Sequence, residues 1–140
     1  METNFLAILA CGVVAMIVGM VWHSKALFGD KYMKAIGADT NISPEKMKEI
    51  QKDMWQLYVT QFALALFQAY VLSGYIISEP GVGGSLNAVW IWAGFVMPTI
   101  AGAAMWSARP RKMAWQIFLI SSGYQLVVLI LFGMILKAWI

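Results

Sequence analysis

This sequence predicts an all-α fold, an integral membrane four-helix bundle, on three observations. Apolar residues make up 61% of the 140-residue chain and charged ones only 12%, against roughly 45–50% and about 25% in soluble domains. Four stretches are long and apolar enough to cross a hydrocarbon core of about 30 Å as helices. Fourteen of the seventeen acidic and basic residues fall between Lys25 and Asp53 or between Arg109 and Lys112, with Glu2, Glu79 and Lys137 near segment ends. The net charge of +3 is therefore a property of loops rather than a nucleic-acid-binding face. A single transmembrane domain over residues 1–140 accounts for the chain.

The first span is expected over Phe5–Trp22. It lacks a basic leader and a small-x-small cleavage site, so it reads as a retained helix rather than a signal peptide. Ala7, Cys11, Ala15 and Gly19 stand at steps of four along it, a small-xxx-small ladder for close helix approach. Cys11 is the only cysteine, which precludes an intrachain disulfide and makes it a small packing residue. In the first loop, Ser43-Pro44-Glu45 is a helix start, with a hydroxyl cap, proline at the first position and an acid at the positive end of the dipole. Met47, Ile50, Met54 and Leu57 then recur at helical spacing among lysines and acids. A cytoplasmic amphipathic helix is thus expected to lead into the second span.

That second span is predicted over Trp55–Ile77, with Ala65, Ala69 and Ser73 on one face. The glycine-rich segment from Ser78 to Ser85 reads as a tight connection. The third span, Leu86–Trp106, carries Gly94, Pro98 and Gly102 at steps of four. Pro98 should kink it and free a carbonyl one turn back for Thr99 or a neighbour. The fourth span is predicted over Met113–Ala138. The ladders are expected to form the intramolecular core, or one of them a homodimer contact.

The seven tryptophans fit two interfacial belts: Trp22, Trp55, Trp106 and Trp115 beside the charged loops, and Trp90, Trp92 and Trp139 at the other ends. The first and third loops hold Lys25, Lys31, Lys34, Lys46, Lys48, Lys52, Arg109, Arg111 and Lys112. The positive-inside rule places these loops in the cytoplasm and both termini outside. Asp39 and the neighbouring acids dilute the first loop but weigh little in that rule.

Gln61, Gln68 and Tyr75 recur at seven-residue steps in the second span, and Ser121 and Gln125 share a face of the fourth. With Thr99 they suggest a polar intramembrane cleft for a small polar solute or a headgroup. Interhelical hydrogen bonding is the simpler reading of the same residues. His23, the only histidine, sits at the interface without metal-ligand partners at suitable spacing. It reads as a headgroup or helix-end contact. No cofactor or metal motif, catalytic cluster or intramembrane carboxylate appears, so catalysis is not expected.

The run Gly19-x-x-Trp22-His23-Ser24-x-x-Leu27-Phe28-Gly29, followed by Met33 and Gly37, resembles the opening signature of a family of small bacterial four-span membrane proteins, domain of unknown function 1761. Gly94-Phe95-Val96-x-Pro98-Thr99, Gly123-Tyr124-x-Leu126 and Gly133 are similar to the same family. Tyrosine is commoner where His23 stands, and tryptophan where Tyr32 stands. The resemblance implies the four-helix topology and a bacterial inner membrane, and it implies no activity. Leu27-Phe28-Gly29 reads as a turn, with Leu27 and Phe28 tucked into the interface and Gly29 releasing the chain. The expected function is a non-enzymatic accessory or binding subunit that meets lipid, a second copy or a larger membrane complex. A small homo-oligomeric transporter or channel for a polar solute is the alternative.

Overall fold

The structure, a computed structural model, describes residues 2–24, 26–35 and 43–139. Lys25, Gly37 and Asp39, and the side chains of Met47 and Ile50, lie outside the described residues. Every regular element among those described is helical: α1 (Phe5–Trp22), α2 (Gly29–Ala35), α3 (Pro44–Lys52), α4 (Met54–Ser78), α5 (Gly84–Ile91), a π-helical turn (Trp92–Val96), α6 (Met97–Met105) and α7 (Arg111–Trp139). Four helical stretches are long and apolar enough to span a membrane: α1, α4, the run from α5 through α6, and α7. Each lies within a few residues of its predicted bounds.

Local chemistry sets the ends. Asn4 caps α1, its Oδ1 accepting from the Leu6 and Ala7 amides at 3.0 and 3.2 Å. Ser43 Oγ accepts from the Lys46 amide at 3.3 Å, so α3 starts where the Ser-Pro-Glu run predicts. The chain breaks at Asp53, which makes α3 a separate short helix rather than an unbroken extension of the second span. Asn4 Nδ2 also donates to the Trp139 carbonyl at 3.1 Å, and Lys137 Nζ to the Pro80 carbonyl at 2.9 Å. Both chain ends and the second loop therefore share one end of the bundle, opposite the charged loops.

The fourth span is the hub. α7 packs against α1, α2, α4, α5 and α6, and 39% of its most apolar window is buried, against 11% for the third span. Toward the terminal end the core is tight: Ala7, Cys11, Ala69, Leu72, Ile76, Phe132 and Leu136 are closed off from the surface. Here α5 meets α7 at Gly84 and Gly133, where a Cβ on either glycine would fall on the other's carbonyl. Gly84 was expected in the turn but opens α5, because only a residue without a side chain lets these backbones touch.

Two expectations need correction and a third gains detail. The third-span ladder does not pack within the bundle. Gly94, Pro98 and Gly102 are exposed, and nothing lies within 4 Å of a Cβ built on either glycine. A straight helix at about 100° per residue would set them near the α7-facing side of Gly84, Asn87, Ala88 and Trp92; the extra residue of the π turn at Trp92–Val96 rotates them away from it. Nor do all tryptophans end in belts. The Trp22 and Trp92 indoles donate to the Ile120 and Ser122 carbonyls of α7, at 2.9 and 2.8 Å. In a lipid setting each N–H needs a partner, and a helix carbonyl with a spare lone pair supplies one. Finally, Pro98 is taken up by the π turn before it, in which the Met97 amide donates to the Trp92 carbonyl five residues back. The Thr99 hydroxyl donates to the Phe95 carbonyl of its own helix.

The glycine contrast is testable by reversible unfolding in mixed micelles. Gly133→Ala should destabilise by about 1–3 kcal/mol through backbone overlap. Gly94→Ala, with open space around it, should be neutral or stabilise by about 0.5–1 kcal/mol through helix propensity.

Candidate functional site

At the charged-loop end the spans part around a cavity of about 660 Å³. Its α1 wall is Ala15, Met16, Gly19 and Met20, ending at His23 just past the helix. Ala15, Gly19 and His23 continue in steps of four the ladder that begins at Ala7. α4 adds Met54, Tyr58 and Gln61, α7 adds Ser121, Tyr124 and Gln125, and Tyr32 of α2 and Ile100 of α6 complete the lining.

Tyr124 fixes the geometry. Its hydroxyl donates to the Ala15 carbonyl at 3.0 Å, and the same oxygen would stand 3.0 Å from a Cβ built on Gly19. His23 stands edge-on between two tyrosines, 5.5 Å from the Tyr124 ring and 5.1 Å from that of Tyr32. Its Nδ1 lies 3.1 Å from the Gly19 carbonyl. That contact places the proton of a neutral ring on Nδ1 and leaves Nε2 as an acceptor.

The signature turn builds this mouth. Trp22 reaches α7 through its indole N–H, and Phe28 packs on the Trp22 ring with centroids 4.8 Å apart. Ser24 Oγ donates to the Val21 carbonyl at 2.7 Å, and the Phe28 and Gly29 amides donate to the Trp22 and Ser24 carbonyls at 3.1 and 2.9 Å. A Cβ on Gly29 would strike the His23 and Ser24 carbonyls. Gly29 therefore holds the chain close and starts α2, where a release from the interface was expected. Leu27 is exposed and Phe28 half-buried. α2 then rests on α7 and sets Tyr32 beside His23.

Of the residues predicted for a polar cleft, Gln61, Ser121 and Gln125 meet in this cavity. Gln68 lies behind them, its Nε2 3.4 Å from Gln125 Oε1. Two do not join. Tyr75 stands fourteen residues beyond Gln61, about 21 Å along the helix axis, in the tight half of the bundle. There it lines a shallow outer groove with Trp90, Ile91, Gly94 and Phe95. Thr99 is exposed and satisfied by its own helix. In the ladders, Ala7, Cys11 and Ala15 are buried and Gly19 faces Tyr124.

His23, Tyr32, Tyr58 and the methionines were missed as lining residues. The step of four from Gly19 to His23, and Met54, Tyr58 and Gln61 at helical spacing, are the signals that mark them. Apart from His23 and the tyrosines, no ionisable side chain among the described residues lines the cavity. No group of three His, Cys, Asp or Glu suited to a metal ion occurs among the described residues.

A family model described as a protein of unknown function, DUF1761, matches residues 6–137. The chain belongs to this family. Comparison with curated proteins and with solved structures gives no match. In this DUF1761 protein the matched region takes in all but the outermost residues of the four spans, the signature turn and every residue named in the cavity.

Two substitutions check this arrangement in the same unfolding assay. Tyr124→Phe should cost about 0.5–1.5 kcal/mol for the lost bond to Ala15. Gly29→Ala should cost about 1–3 kcal/mol because its new methyl meets backbone.

Proposed function

We propose that this DUF1761 protein is a non-enzymatic membrane binding subunit that holds a lipid-phase molecule in the cavity and acts alongside a protein partner. The observation that carries the proposal is the cavity itself. Its volume falls in the range of about 300–1,000 Å³ typical of small-molecule sites, and it joins aromatic and thioether walls to a few amides and hydroxyls. His23 and Ser121 are the lining residues nearest to catalytic types, and among the described residues no carboxylate accompanies them. Proton transfer or nucleophilic attack would need such a third group to orient the base.

In this reading the charged loops and the cavity mouth face the cytoplasm of a bacterial cell and both termini face out. The Gly94–Pro98–Gly102 ladder, turned outward, is the surface on which a membrane partner or a second copy would sit. Transport of a polar solute is the second reading, favoured by the meeting of Gln61, Ser121 and Gln125. A path through one copy would have to pass Leu72, Ile76, Val128 and Phe132, which are closed against one another. Leucine at the three polar positions would abolish flux in liposomes if that reading held.

Native mass spectrometry of the protein extracted from its own membrane separates these cases. The proposal expects a retained small molecule, a heteromeric mass, or both. A bare monomer, together with intact membrane complexes after deletion of the gene, would overturn it.

A further inference from the structure

We infer that the cavity takes an uncharged ring-bearing amphiphile that presents carbonyl oxygens to the amides on its floor, the chemistry of a quinone headgroup. This rests on the reading of the cavity as a ligand site and narrows its occupant. Charge is the first discriminator. Among the described residues no carboxylate, lysine or arginine lines the cavity, and an ion placed against that lining would lose its hydration without gaining a counter-charge from it. A cation would also have to pass a loop end whose nine basic residues outnumber its five acidic ones.

The order of polarity with depth is the second. Ser121 and Gln125 lie ten and fourteen residues into α7 from Arg111, about 15 and 21 Å along its axis. His23 and Tyr32 lie at the loop end. Gln125 Oε1 faces Gln68, which leaves the Gln125 amide N–H groups for the cavity. Gln61 and Ser121 have no side-chain hydrogen bond among the described residues. A phospholipid has the opposite polarity, with its headgroup at the surface and chains within, so its chains would leave these donors unpaired. A ligand that sends carbonyl oxygens to the floor and an apolar tail sideways, past the exposed lining residue Met20 into the lipid, satisfies them.

Shape is the third. The rings of Tyr58 and Tyr124 and the thioethers of Met16, Met20 and Met54 offer flat and polarizable contacts, which suit a planar ring.

The test uses the full chain in phosphatidylcholine nanodiscs, titrated with a short-tailed 1,4-naphthoquinone and with an alkylbenzene of equal carbon number. Binding is read by quenching and competition of an environment-sensitive probe. The naphthoquinone should bind saturably, and the alkylbenzene about tenfold more weakly. Gln125→Leu and Gln61→Leu should each weaken the quinone several-fold without moving the alkylbenzene. Equal affinity for the two probes, or quinone binding unchanged in both leucine variants, would overturn the inference. Ile100→Phe, which fills the cavity from α6, separates the two levels of the argument. If it expels a molecule retained from the native membrane that the quinone does not displace, the ligand class is wrong and the binding site stands. If it expels nothing and no quinone binds, both fall.

Discussion

The structure depends on how closely other helices approach the backbone of the fourth span. Helices surrounded by lipid gain little from burying apolar side chains against one another, because the tails they leave are equally apolar. Association then comes from dense van der Waals contact and from polar hydrogens that find carbonyls. α7 supplies both. Gly133 lets α5 touch it backbone to backbone at Gly84, and its Ile120 and Ser122 carbonyls receive the Trp22 and Trp92 indoles from opposite neighbours.

The two halves of the bundle differ because these devices are unevenly spread. At the terminal end, alanines, Cys11 and two glycines draw the helices together, and Leu72, Ile76 and Phe132 fill what remains. At the charged-loop end the small-residue face of α1 continues, but α4 and α7 set Met54, Tyr58, Gln61, Tyr124 and Gln125 against it, too bulky and too polar for a close seam. The helices part there. The cavity is the direct result, with Tyr124 bridging to Ala15 where the halves meet. The signature turn at Trp22 to Gly29 closes one side by folding α2 back onto α7.

Much of this architecture was legible in residue types. Each span is a long apolar run that cannot be confused with anything a soluble protein needs, so its bounds read within a few residues. The Ser43 cap was equally plain. The packing faces were less so. A step of four between small residues is the same signal whether it faces a neighbour, as Ala7 to Ala15 do, or the outside, as Gly94 to Gly102 do. An indole N–H serves a headgroup or a helix carbonyl equally well, which hid the inward bonds of Trp22 and Trp92. In the cavity, Gln61, Ser121 and Gln125 stood out as polar groups in apolar runs. Tyr58 and the methionines did not, because their apolar character fits lipid as readily as a ligand wall. The short helix α2 follows from one glycine meeting two carbonyls, a contact that no periodicity announces.

The central claim is a bundle open at the charged-loop end and closed at the other. Thiol accessibility in a Cys11→Ser background tests it most directly, with Gln61→Cys, Ser121→Cys and Ser73→Cys exposed in turn to a small water-soluble thiol reagent. Gln61 and Ser121 line the cavity, whereas Ser73 is wholly buried in the tight half. The account predicts that the first two react from the face bearing the charged loops while Ser73→Cys stays protected. Labelling of Ser73→Cys as fast as Ser121→Cys, or protection of all three from both faces, would contradict it.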